Sequence, residues 1–172
     1  GGFMALTAWL PTYWQKAHGL SVTQAGLFTS VYACLAALLR IPGGNLADKI
    51  GGLKVSLFAI SLLGTVAAVM AFSSNLAVSG LCTLIIAVAF GLNNAAIMKL
   101  VPVYVSKSVG GASGWVGGLG AFGGFVIPPV LGKVVDTMGT TGYYRGFLIF
   151  SLFSVIVMLI LYFGLVVRNK NK

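Results

Sequence analysis

Six apolar segments, each near the length that crosses a bilayer, divide this chain into hydrophobic runs joined by short polar stretches. A spanning helix needs about 20 mainly apolar residues. The runs cover about 1–14, 23–44, 53–72, 76–100, 111–134 and 143–167, and the first reads as beginning inside a helix. Hydrocarbon offers backbone groups no water, so runs of this kind fold as helices. Only 8% of the 172 residues are charged, against about 25% in soluble domains. The expectation is an all-α membrane protein, residues 1–172 forming one transmembrane unit in the lipid bilayer. The opening "GGFMALTAW" lacks an initiator Met and a basic stretch, so it is not read as a signal peptide.

Eleven Lys and Arg stand against two acids, Asp48 and Asp136. In a soluble protein that balance would suggest nucleic acid. Here the basic residues lie mostly between apolar runs, so they are read as topology signals and no nucleic-acid partner is expected. With six spans, Lys49, Lys54, Lys107, Arg168, Lys170 and Lys172 fall on one side, and Lys16, Lys133 and Arg145 on the other. The excess places the 45–54 loop, the 101–110 loop and the tail in the cytoplasm of a cell that carries the chain in its plasma membrane. Trp9, Tyr13, Trp14, Tyr143 and Tyr144 cluster at the opposite interface. Cys34 and Cys82 sit within apolar runs and the only histidine, His18, is read as a loop residue. No metal or cofactor is expected from these, and no nucleophile or acid–base pair within the spans suggests an enzyme.

Arg40 is the most demanding residue. It follows "VYACLAALL" and precedes Asp48 by eight residues, roughly 12 Å along a helix. Helical spacing groups Gly26, Thr29, Ser30, Ala33, Ala36, Ala37, Gly43 and Gly44 around it, with Leu27, Val31, Leu35 and Leu38 opposite. Small residues face neighbouring helices and bulky aliphatics face lipid, so Arg40 is expected to point into the bundle. Pro42 frees the carbonyl of Leu38 and invites a bend. An inward intramembrane arginine either pairs with a buried carboxylate or binds an anion. Neither acid of this chain is placed mid-membrane by this count.

Lys99 lies at a similar depth, eight residues before Lys107, and either joins Arg40 as a second cation or snorkels to the headgroups. Asn93 and Asn94 are polar groups one to two turns deeper, more than 100° around the helix from Lys99. In "GGASGWVGGLGAFGGFVIPP", residues 110–129, Gly110, Gly114, Gly117, Ala121 and Gly124 share a stripe with Gly120 at its edge. Glycine costs a helix up to about 1 kcal/mol against Ala, so close packing or a surface for a solute must offset it. Packing on one stripe leaves Gly118 and Gly123 unexplained, and Pro128 and Pro129 are expected to end or kink the segment.

"GGNLADKIGGLK" resembles the loop motif of the major facilitator superfamily through Gly44, Asp48, Lys49, Gly51 and Lys54. The glycine-rich run ending in Phe-Val-Ile-Pro-Pro is similar to a signature of its nitrate/nitrite porter family, as are "RIPGG" and "KLVPVY". The resemblance implies the C-terminal six-helix half of a twelve-helix carrier, with the N-terminal six-helix half, missing from this sequence, as its partner. It implies nitrate and nitrite as substrates, an anion site with one arginine from each half, and Arg40 as this half's arginine. It makes Gly44, Asp48, Lys49 and Gly51 a cytoplasmic gating element. Arg40, Asn93, Asn94, Lys99, Gly117, Gly120 and Gly124 are the expected substrate-binding residues. The family's anion-sandwiching aromatic falls just upstream of Gly1, with Phe3 near that position without matching it. The chemistry agrees: nitrate is planar and monovalent, and a guanidinium offers paired donors to two of its oxygens. Half of a carrier for another small anion is the alternative.

Overall fold

In the computed structural model, which describes residues 1–167, helices account for nearly the whole chain. They are α1 (Gly2–His18), α2 (Val22–Leu38), α3 (Arg40–Ile50), α4 (Gly52–Ala71), α5 (Leu76–Tyr104), α6 (Val109–Met138), α7 (Thr140–Arg145) and α8 (Phe147–Leu161). A 3₁₀ turn at Ser106–Ser108 precedes α6, and α8 continues as a π-helical turn, Tyr162–Val167. The helical segments Val22–Ile50, Gly52–Ala71, Leu76–Tyr104, Ser106–Met138 and Thr140–Gly164 are long and apolar enough to cross a membrane. With α1, 17 residues long, they account for the six expected runs, and the all-α reading holds.

The boundaries differ from those expected. The second run does not stop at Gly44: helix continues to Ile50, and Gly51 at φ 93° is the only residue between α3 and α4. The expected 45–54 loop is therefore almost entirely helical. Positive φ suits glycine alone among common residues, so a single Gly51 turns the chain. His18 is the last residue of α1 rather than a loop residue. The fourth run extends through Pro102 to Tyr104 and α6 begins at Val109, so most of the expected 101–110 loop is helix as well. Pro128 and Pro129 do not end the fifth run, because α6 passes through both to Met138. The basic tail residues Arg168, Lys170 and Lys172 lie outside the described residues.

Two buried clusters hold the bundle. The larger gathers Leu6, Leu10, Tyr13, Trp14, Tyr32, Met70, Ile86, Leu131, Phe147 and Phe150. At one end Trp9 stacks on Tyr143 at 5.9 Å, and Tyr13 meets Tyr144 edge-on at 6.1 Å. The Tyr144 hydroxyl donates to the carbonyl of Ala17 at 2.7 Å, and Arg145 lies over the Phe72 ring at 4.3 Å. The aromatics expected at one interface are thus together in space. The smaller cluster, Ala47, Val55, Ala59, Leu92 and Ala96, joins α3, α4 and α5.

Glycine sets how closely these three helices and α2 approach. A Cβ on Gly91 would stand 2.7 Å from the Ala36 carbonyl oxygen and 2.8 Å from Leu39 Cβ. One on Gly43 would stand 3.0 Å from Leu92 Cα, and one on Gly52 2.9 Å from the Ala96 oxygen. Small residues let helix backbones meet where lipid supplies no hydrophobic drive between helices. Gly91→Leu should lower the melting temperature of the detergent-solubilised protein, in line with about 1–3 kcal/mol of overpacking. Gly117→Leu, whose Cβ would meet nothing within 4 Å among the described residues, should not lower it and should raise it slightly, since a helical glycine costs up to about 1 kcal/mol. Intrinsic fluorescence on heating measures both.

Candidate functional site

The helix that carries Arg40 is interrupted directly before it. Leu39 caps α2 and Arg40 opens α3, with Leu39 N–H still donating to Leu35 and Gly43 N–H to Leu39. Pro42 has no N–H for the carbonyl of Leu38, which is the local reason for the interruption there. Of the face expected to be inward, Thr29, Ala36 and Gly43 are buried, while Leu27, Val31 and Leu38 opposite are exposed. Arg40 itself is not enclosed. Ala25, Tyr32 and Ala47 share the buried side with those residues, and Arg40 sits at its margin with an exposed side chain. The expectation that it points into the bundle is corrected to a position at the rim.

Its guanidinium lies over the ring of Phe3, 5.7 Å from the centroid. Phe3 stacks on Tyr32 with centroids 5.7 Å apart and planes at 26°, and meets Phe90 edge-on at 6.4 Å. Three helices, α1, α2 and α5, therefore supply an aromatic floor beside one arginine. Among the described residues Arg40 makes no ion pair.

Lys99 is different. Its ammonium pairs with Asp48 at 2.8 Å, both side chains being about half exposed at 49% and 56%. Lys99 is thus neither a second free cation beside Arg40 nor directed only to headgroups. Counting depth along the sequence separated it from Asp48 because Asp48 was assigned to a loop. Continued helix in α3 instead stacks Asp48 one turn beyond Gly44, whose Cβ would lie 4.0 Å from Lys99 Cε. Lys49 is exposed beside Asp48.

Asn93 is likewise engaged between helices: its Oδ1 accepts the Ser56 hydroxyl at 2.7 Å, tying α5 to α4. Asn94 is partly buried on the same helix. The glycine run splits into two parts. Gly123 and Gly124 press on α1, where their Cβ atoms would fall 2.7 Å from Gly1 Cα and from Met4 Cβ. A Cβ on Gly120 would lie 3.6 Å from the Gly1 nitrogen. A Cβ on Gly110, Gly114, Gly117 or Gly118 would meet nothing within 4 Å among the described residues. Close packing therefore explains Gly123, which the stripe did not, and leaves Gly117 on an open surface with Trp115 and Leu119 exposed beside it. The expected binding set is not brought together: Arg40 stands with aromatics, Lys99 with Asp48, Asn93 with Ser56, and Gly120 and Gly124 with α1. Sequence reasoning missed Tyr32, Phe90 and Ser56, for which no spacing rule gives a partner on another helix.

The Major Facilitator Superfamily profile matches residues 1–172. This chain belongs to the major facilitator superfamily. It is a multi-pass membrane protein of that superfamily. It is 36% identical over 88% of its length to a protein named nitrite extrusion protein from Bacillus subtilis (strain 168). It is 34% identical over 76% of its length to the probable nitrate/nitrite antiporter NarK1 of Thermus thermophilus. It is 34% identical over 87% of its length to the probable nitrate transporter NarT of Staphylococcus haemolyticus (strain JCSC1435). The chain spans 38%, 34% and 38% of the lengths of these relatives. No solved structure matches it significantly.

The Asp48–Lys99 pair of this superfamily member has a measurable size. Exposed ion pairs contribute about 0.2–1 kcal/mol, so Asp48→Asn and Lys99→Gln should each lower thermal stability slightly. A double-mutant cycle should return a coupling in that range, and exchanging the two residues should recover most of the loss. A coupling near zero would mean that the pair does not join α3 to α5.

Proposed function

We propose that the chain is the C-terminal six-helix half of a carrier that moves nitrate and/or nitrite across the plasma membrane by alternating access, with Arg40 holding the anion. The observation that carries this reading is an unneutralised arginine. The chain has two acids; Asp48 is taken by Lys99, and Asp136 makes no ion pair with Arg40 among the described residues. A charge kept at membrane depth without a partner costs at least about 2.5–3.5 kcal/mol, which an anionic solute offsets. The guanidinium is planar, permanently charged and fork-shaped, matching a planar oxyanion through paired donors.

The relatives' names support nitrate and nitrite as the solutes, and their greater length supports an N-terminal six-helix half as the structural partner. Transport sites of such folds form between two halves, which fits an arginine at the rim rather than the centre of this one. The basic residues Lys49, Lys54 and Lys107 support a cytoplasmic position for the α3–α4 turn, the 105–108 connection and the tail. The protein is a carrier and not an enzyme in this reading.

In the complete carrier Arg40→Lys should insert normally yet bind nitrate tenfold to a hundredfold more weakly, from loss of about 1.5–3 kcal/mol of charge-assisted hydrogen bonding. Arg40→Ala should be at least as severe. Nitrate affinity in detergent and uptake into proteoliposomes, with expression checked, measure this. Normal nitrate transport by Arg40→Ala would place the anion site elsewhere, and preference for another anion over nitrate would favour a different substrate for the same site.

A further inference from the structure

Phe3 stands at a place where an intramembrane cation would ordinarily meet an acid. We propose that Phe3 is a positioning residue for the anion site: its ring orients the Arg40 guanidinium without neutralising it. This rests on the reading of Arg40 as the anion ligand.

The chemistry distinguishes a ring from a carboxylate. A carboxylate beside Arg40 would occupy the paired N–H donors and cancel the charge, so an incoming anion would have to displace it. An aromatic face attracts the cation through its quadrupole, accepts no conventional hydrogen bond and carries no net charge. The guanidinium donates in its own plane, so attraction to a ring leaves the fork free for an oxyanion. At 5.7 Å from the centroid, Arg40 is within the roughly 6 Å over which such attraction acts.

The ring is itself held. Tyr32, fully buried, stacks on it, and Phe90 abuts it edge-on. The Phe3 carbonyl accepts the Thr7 hydroxyl at 2.9 Å and the Tyr32 hydroxyl at 3.4 Å, fixing the backbone beneath the ring. Gly2 leaves the space that Phe90 needs, since a Cβ there would fall 2.7 Å from Phe90 Cζ. Aromatic pairs at these separations are favourable beyond their buried area. A flexible arginine pays side-chain entropy when it binds, and a fixed ring restricts it beforehand.

The test is nitrate affinity of the complete carrier across a graded series at Phe3: the parent, 4-fluoro- and 3,4,5-trifluorophenylalanine introduced at that position, and Phe3→Leu. Fluorination withdraws charge from the ring face at nearly constant size, so a purely structural Phe3 would give a flat series. The expected result is a stepwise loss reaching about twofold to fivefold at Phe3→Leu, the size of an exposed to partly desolvated cation–π contact, with the fluorinated variants melting as the parent does. Equal affinity across the fluorinated series overturns the proposal, whatever Phe3→Leu does to folding. Arg40→Ala, assayed in parallel, separates the two claims. Nitrate binding unchanged in Arg40→Ala sinks the anion-site reading and this inference with it. Binding that depends on Arg40 but not on fluorination sinks the role of Phe3 alone.

Discussion

The near contact of α5 with the α2–α3 junction is the constraint on which the rest of this structure depends. Leu39 meets Gly91, Gly43 meets Leu92 and Ala95, Ala47 joins Ala96 in one cluster, and the seam ends at Asp48 and Lys99. The partners advance together along both chains, so the helices run parallel. Each step requires a residue that brings little or no side chain to the contact. In a bilayer, lipid tails compete equally for apolar surface, and association comes from packing of this kind. The seam fixes the depth at which α2 gives way to α3. It therefore also fixes where Arg40 emerges and which side of the helix its side chain leaves from.

That geometry sorts Arg40 and Lys99 into different settings. Lys99 is a compact ammonium beside a carboxylate, and the pair ties the ends of two helices. Arg40, roughly two turns earlier on the α2–α3 path, has a planar head beside a planar ring. The difference follows from residue type. A point charge is satisfied by one carboxylate, whereas a guanidinium has both a face and a donor edge to offer. Only the second arrangement leaves the cation's charge without a carboxylate partner among the described residues.

Hydropathy made the apolar helices legible, because run length against bilayer thickness is a strong constraint, and helical spacing picked out a small-residue face over 26–44 of which Thr29, Ala36 and Gly43 are buried while Ser30, Ala37 and Arg40 are exposed. Span ends were not legible. Gly51 alone turns α3 into α4, so the polar residues Asn45, Asp48 and Lys49 are helical although they resemble a loop in composition. This one error of boundary also hid the Asp48–Lys99 pair, whose members are 51 residues apart. Asn93 was polar enough to suggest a ligand, yet its acceptor is filled by Ser56, a residue no periodicity connects to it. Phe3 was visible and set aside because a family position did not match it, while its relation to Arg40 exists only once α1 packs against α2.

The glycines of α6 carry the same reasoning to the edge of the chain. A helix with so many glycines gives up as much as about 1 kcal/mol at each relative to alanine, and contact has to offset that loss. At Gly123 and Gly124 the contact is visible, with α1 lying where side chains would be. At Gly110, Gly114, Gly117 and Gly118 a Cβ would meet no other element within 4 Å among the described residues, and α6 fully buries only Leu131. Four of the open glycines lie on the N-terminal part of a helix whose Gly123 and Gly124 serve close packing, and Gly132 further along is open as well. A surface of backbone rather than side chains suits a second helix or a small solute approaching from outside this unit. On the proposed reading of a carrier built from two halves, that surface would lie at their junction, where a smooth face lets helices slide, and the exposed Arg40 at the rim would open onto the same side of the proposed anion path.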